Sequence, residues 1–134
     1  MRITWVGVPK AARKDIRAKI REDISGDEFL VCSEKGRDQK ARQYCKDSAW
    51  AFRPEFIASQ ARVSLGGSAI KALGEAQGKL CESANELVLA MVRFSSFWRE
   101  AVKADGYGCF LAPHDDTERD VKVNGVRFYI YRQN

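Results

Sequence analysis

The apolar positions of this chain change spacing several times, and each change predicts a new element. Arg2 to Val8 is rich in β-branched and aromatic residues and closes at Pro9, which predicts a strand. From Lys10 to Ile24 the apolar residues Ala12, Ile16, Ile20 and Ile24 fall four apart, with Lys10, Arg13, Lys14, Arg17 and Arg21 between them. That pattern predicts an amphipathic helix with a basic face. Gly26 interrupts it, and Glu28 to Ser33 returns to a strand pattern. Strand, helix, strand predicts a parallel pair if the two strands meet directly.

Charge and Gly36 between positions 34 and 40 predict a loop, and Gln39 to Ala51 a helix with Ala41, Tyr44, Cys45 and Ser48 on one face. Pro54 opens a short helix running to Val63, because the missing proline donor costs little in a first turn. Gly66 and Gly67 mark a turn, and a short helix from Ser68 to Gln77 precedes Gly78. Leu80 to Lys103 then places Leu80, Ala84, Leu87, Met91, Phe94, Trp98 and Val102 at three- and four-residue steps, predicting one long central helix with an inward stripe. Leu89 and Phe97 stand outside that stripe, among or beside Glu82, Asn85, Glu86, Arg93, Ser96 and Glu100. Either neighbouring segments cover them or they belong to a binding surface.

Gly106 and Gly108 stop the helix, and Tyr107 to Leu111 reads as a third strand. After Pro113 and the acidic loop His114-Asp-Asp-Thr-Glu118 comes the strongest local signal. Val121 to Val123 and Val126 to Tyr131 are strand-like and flank Asn124-Gly125, the pair that favours a type I′ turn, so they form a hairpin. Together these elements predict an α+β fold in a single domain over residues 1–134. A small mixed sheet of N-terminal strands and C-terminal hairpin packs against the long central helix and shorter helices.

Composition narrows the class. A hydrophobic fraction of 45% and fourteen aromatics suit a packed globular core and exclude disorder. The apolar run at the start is too short for a signal peptide or membrane span, so the expected location is the cytoplasm. Cys32, Cys45, Cys81 and Cys109 are scattered singly beside one histidine, His114, which is poor metal-ligand spacing and reads as buried thiols. The net charge of +5 lies wholly in residues 1–67, where fourteen Lys and Arg meet nine Asp and Glu. Such a field attracts nucleic acid or an acidic protein surface alike.

No catalytic, metal or cofactor-binding set emerges. Gly74-Glu-Ala-Gln-Gly78-Lys79 fails as a phosphate loop, because three residues separate the glycines, Leu80 replaces the hydroxyl, and no strand precedes it. The loop at Lys35, Gly36 and Arg37 offers at most a weak anion contact. His114 with Asp115 and Asp116 reads as a polar turn, and Cys109, between Gly108 and Phe110, as a buried and inert thiol. Arg127, Tyr129 and Tyr131 share one face of the last strand, with Arg132 beyond it. Aromatics interleaved with arginine can stack on single-stranded bases, or simply keep an edge strand soluble.

Three segments carry a resemblance. They are Ala41-Arg-Gln-Tyr-Cys-Lys-Asp-Ser-Ala-Trp-Ala-Phe-Arg-Pro-Glu-Phe-Ile-Ala58, the run from Cys81-Glu-Ser-Ala-Asn-Glu86 to Asp105-Gly-Tyr-Gly-Cys-Phe-Leu-Ala112, and Tyr129-Ile-Tyr-Arg-Gln-Asn134. They resemble a loose group of small proteins carried by bacterial phages and mobile elements, over about the last two-thirds of the chain. The resemblance implies an accessory protein that binds and inhibits or redirects a bacterial host complex, such as a defence system, and implies no functional residues. From the residues, the expected partner-binding positions are Leu89, Phe97, Tyr129 and Tyr131. The alternative is nucleic-acid binding through Arg13, Lys14, Arg17, Arg21, Arg127 and Arg132.

Overall fold

A computed structural model describes residues 1–134. The fold is α+β, and the chain divides into two compact units, Met1–Ala41 with Asp105–Asn134, and Arg42–Ala104.

The first unit is built on a four-stranded mixed sheet. Strand β1 (Arg2–Val6) leads through helix α1 (Lys10–Asp23) to β2 (Glu28–Cys32), and the two strands pair in parallel as the pattern predicts. Strands β3 (Arg119–Val123) and β4 (Val126–Arg132) form the hairpin, with Asn124 at φ 51° and Gly125 at φ 81°, both positive as a type I′ turn requires. Strand β4 then pairs antiparallel with β2, giving the order β1-β2-β4-β3. Ala12, Ile16 and Ile20 of α1 pack on one face of this sheet, against Phe29, Val31, Val123, Phe128 and Ile130. Each fully buried aliphatic or aromatic side chain of that cluster contributes about 1.5–3 kcal/mol. Strand β2 lies centrally and buries Phe29, Leu30, Val31 and Cys32 in succession. Burial on both faces replaces the alternation of a half-exposed strand.

Two segments of this unit differ from the sequence expectation. The stretch at 34–40 is no loop, because helix α2 runs from Glu34 to Asp47. Ser33 Oγ accepts a hydrogen bond from the Gly36 amide at 2.9 Å and satisfies one of the free donors at the helix start. Gly36 is there for clearance: a Cβ on it would lie 2.5 Å from the Val6 carbonyl oxygen. Tyr107–Leu111 is likewise a short helix, α7, and not a strand. Its Gly108 is buried where a Cβ would stand 2.3 Å from the Asp116 carbonyl oxygen, so the glycine read as a breaker permits a close backbone approach.

The second unit is helical. After α2 and a 3-10 turn at Ala49–Ala51 come α3 (Pro54–Ser59), α4 (Gly67–Leu80), a 3-10 turn at Cys81–Ala84, α5 (Asn85–Met91) and α6 (Phe94–Asp105). A long helical run is present, but it spans 67–91, bends at Cys81 (φ 51°), and gives way to extended backbone at Val92 (ψ 158°). Leu80 to Lys103 is therefore not continuous. Tertiary pairing interrupts it: Val92 bridges Ala61, Arg62 N donates to Met91 O at 2.9 Å, and Arg93 N donates to Gln60 O at 3.1 Å. Each bend resets the helical phase. Ala84 and Trp98 of the expected inward stripe are buried, Met91, Phe94 and Val102 are half-buried, and Leu80 and Leu87 are exposed.

The core of this unit is aromatic. Phe97 is wholly buried, with its ring centroid 5.0 Å from that of Phe52, 5.4 Å from Phe56 and 6.3 Å from Phe94. Gln77, also buried, donates from Nε2 to the carbonyls of Trp50 (2.7 Å) and Phe52 (2.6 Å). Asn85 accepts from the Trp50 amide at 2.8 Å and donates to the Asp47 carbonyl at 2.5 Å. These two amides satisfy backbone groups of an irregular segment that no ladder serves.

Candidate functional site

Three features have the chemistry to be sites. The first is a polar cluster on the sheet face opposite α1. Period-two alternation turns Tyr129 and Tyr131 of β4 to that face, because Phe128 and Ile130 occupy the other. Arg37, from the first turn of α2, lies between two rings, its guanidinium carbon 3.9 Å from the Tyr107 centroid and 3.7 Å from that of Tyr129. Its Nη1 donates to both carboxylate oxygens of Glu118, at 3.1 and 3.2 Å. The Tyr131 hydroxyl donates to the same carboxylate at 2.5 Å, and the Tyr107 hydroxyl donates to Asp38 Oδ1 at 2.5 Å.

The electrostatics are those of a largely buried network, in which Arg37 Nε is left without a hydrogen-bond partner. Burial pushes the Tyr107 hydroxyl up to about 12, helped by its bond to Asp38. Burial also raises Tyr131, and the negative Glu118 raises it further. Arg37 is opposed by burial, but Glu118 outweighs that and holds it charged. Beneath them the Cys32 thiol, also buried, rises to about 12 and is no nucleophile near neutral pH. With only 13% of the Arg37 side chain exposed and both ring faces and the carboxylate engaged, the cluster is a clamp and leaves little of the cation for a ligand. Of the expected partner-binding positions, it holds Tyr131 wholly buried and Tyr129 half-buried beneath Arg37.

The second feature is the basic face of α1. Arg13 and Arg17, one turn apart, both lie over the Trp5 ring of β1, each 5.2 Å from its centroid. Lys14, Arg17 and Arg21 are exposed and Arg13 is half-buried, its guanidinium donating to the Val8 carbonyl at 3.2–3.3 Å. Trp5 was not among the expected residues. The signal for it was the alternation Ile3, Trp5, which turns the indole to the face where α1 packs. Arg127 does not join this surface: it shares the parity of Tyr129, on the opposite face, and pairs with Asp120. Arg132 donates to Ser25 Oγ at 3.1 Å and to the Asn134 carbonyl at 2.5 Å. A basic interface joining α1 to the Arg127 face is therefore not assembled.

The third feature is exposed aliphatic surface near the Cys81 bend. Leu80 is 47% and Leu87 44% exposed, while Leu89 is half-buried. Phe97, expected beside Leu89 on an outward face, is instead at the centre of the aromatic core, because α6 restarts the helix after Val92. The helical break, invisible in the spacing, exchanged the faces.

The histidine loop is held by its own polar contacts. Asp115 Oδ2 is 2.9 Å from Arg119, and Asp115 Oδ1 accepts from the Thr117 amide at 3.1 Å. Burial is the largest single influence and opposes its charge, but Thr117 and Arg119 together outweigh it and hold its pKa below the ordinary carboxylate value. Cys109 is exposed, where the sequence suggested a buried thiol, and its pKa is raised by partial burial and then by the carboxylates of Asp105 and Asp116, against thiolate formation. No three His, Cys, Asp or Glu side chains converge as metal ligands, and no helix is long and apolar enough to cross a membrane.

No protein-family model, curated protein or solved structure matches the chain.

Proposed function

We propose that this is an accessory protein of a phage or mobile element that works in the host cytoplasm by binding a bacterial macromolecular complex and inhibiting or redirecting it. A host defence system is the favoured target. The observation that carries the binding mode is the pair Leu80 and Leu87, large aliphatic side chains 47% and 44% exposed on either side of the turn at Cys81–Ala84. Apolar area held in water beside polar residues marks an interaction surface. The host context rests on the resemblance of residues 41–58, 81–112 and 129–134 to phage-borne proteins.

Affinity purification from a bacterial lysate, read by mass spectrometry, tests it. Wild type is expected to capture one complex at fixed stoichiometry, and Leu80→Asp with Leu87→Asp to lose it while keeping the helical circular-dichroism spectrum. Capture of no complex, or equal capture by the variant, sinks the proposal.

Nucleic-acid binding through α1 is the second reading, favoured by the two guanidinium groups over Trp5. Arg13, Lys14, Arg17 and Arg21 would meet phosphates, and the indole a base. Trp5 fluorescence titrated with single- and double-stranded oligonucleotides decides it. Affinity that falls steeply with salt, with a slope reduced by about one per arginine neutralised, supports this reading, and a salt-independent or absent signal removes it.

A further inference from the structure

Strand β1 lies at an edge of the sheet and pairs with β2 on one side only. In a parallel ladder alternate residues turn both backbone groups toward the neighbouring strand. Arg2 N donates to Asp27 O at 2.6 Å and Ser33 N donates to Val6 O at 2.9 Å, so Arg2, Thr4 and Val6 serve β2. The N–H and C=O groups of Ile3 and Trp5 therefore point away from the sheet. Such an edge invites another strand unless charge, proline or a bulge protects it. The opposite edge is protected, because β3 carries Arg119, Asp120 and Lys122 within its five residues. On β1 the only charge is Arg2, at its end and paired with Glu28 at 2.9 Å, while Ile3, Thr4, Trp5 and Val6 carry none.

We infer that β1 is a homodimerisation edge, onto which a second copy of this chain adds its own β1 antiparallel about a two-fold axis through Thr4. The register follows from the backbone. With Thr4 opposite Thr4 of the second copy, Ile3 lies opposite Trp5 of that copy, and the reverse. Both members of each pair point outward, so each pair exchanges two hydrogen bonds and all four outward groups of each edge are satisfied. A shift by one residue sets outward groups against inward ones, and a shift by two draws on residues beyond the strand. The side chains agree with this register. Arg2 faces Val6 of the second copy, so no like charges meet along the strands, and the Ile3–Trp5 pairs continue the apolar sheet face across the axis. One feature opposes association: Arg13 and Arg17 lie over each Trp5, so four guanidinium groups gather on the joined face. Salt screens them, and the dimer strengthens as ionic strength rises. The proposal rests on β1 alone, and neither it nor the reading of the leucine surface depends on the other.

Sedimentation velocity on the full chain, from low micromolar to near-millimolar concentration at low and high salt, is the first measurement. A monomer–dimer equilibrium that tightens with salt is expected, and Thr4→Lys should weaken it at least tenfold by setting two ammonium groups across the axis. Cross-linking is the second, in a background with the exposed Cys81 and Cys109 changed to serine. Thr4→Cys should oxidise to a covalent dimer, because residues opposite one another in a non-hydrogen-bonded pair have Cα atoms about 4.5 Å apart, within disulfide range. Arg2→Cys in the same background should form no covalent dimer, since its two copies lie about 14 Å apart along the strands. A monomer at every concentration and salt, association untouched by Thr4→Lys, or cross-linking through Arg2→Cys in place of Thr4→Cys overturns the proposal.

Discussion

The guanidinium carbon of Arg37 lies 3.7 Å from the centroid of the Tyr129 ring, and the same group bonds Glu118. One side chain at the start of α2 thus holds β4 and the segment leading into β3. Arg37→Ala should cost about 3 kcal/mol in urea unfolding, because it leaves the Glu118 carboxylate, 30% exposed, without its cation. Arg37→Lys should recover only part of that, since an ammonium lacks the planar group that stacks between two rings. Equal stability of wild type and Arg37→Ala would mean that the clamp contributes nothing.

Alkaline pH should loosen the same cluster. Cys32 is raised from 9.0 to about 12 and Tyr107 from 10.0 to about 12, so the folded state holds protons that the unfolded state releases first. The stability these groups provide is complete below about pH 9 and lost progressively up to about pH 12. Urea midpoints across that window should fall steadily, and Cys32→Ala with Tyr107→Phe should flatten the decline. A flat wild-type profile over that range would contradict the burial assigned to the two groups.

Two glycine-to-alanine changes in helices should have opposite signs. In α4, a Cβ on Gly78 would have nothing within 4 Å, so Gly78→Ala should stabilise by about 0.5–1 kcal/mol. In α2 the Cβ of Gly36→Ala would meet the Val6 carbonyl oxygen at 2.5 Å, and its collision outweighs the helix preference. We expect a loss of about 2 kcal/mol or more, read as a lower thermal midpoint.

Phe97 and Leu87 separate core from surface. Phe97→Ala should cost about 3–5 kcal/mol, because it removes the ring that touches Phe52, Phe56 and Phe94. Leu87→Asp, at a side chain 44% exposed, should change stability by less than about 0.5 kcal/mol. Comparable losses in denaturant titrations would show that Leu87 is covered in solution.

What the sequence determined by itself was local. The Asn124-Gly125 turn, the basic helix from Lys10 and the flanking strands need only nearby residues to specify them, since turn dihedrals and side-chain periodicity are properties of a few consecutive positions. The mixed α+β class follows from those elements. Tertiary contacts decided the rest. Spacing alone carried Leu80 to Lys103 as one helix, yet the backbone at Val92 bonds to a segment some thirty residues earlier, and no local signal encodes that pairing. The break rotated Phe97 into the core, while the bend at Cys81 and the new phase of α5 left Leu80 and Leu87 in water. Gly36 and Gly108 looked like loop and strand punctuation because the backbones they must admit, at Val6 and Asp116, are distant or turned away in sequence. Tyr131 likewise became core only when Glu118 and Arg37 met over the second face of the sheet. Period-two spacing shows which residues share a face, and the rest of the fold determines whether that face meets solvent.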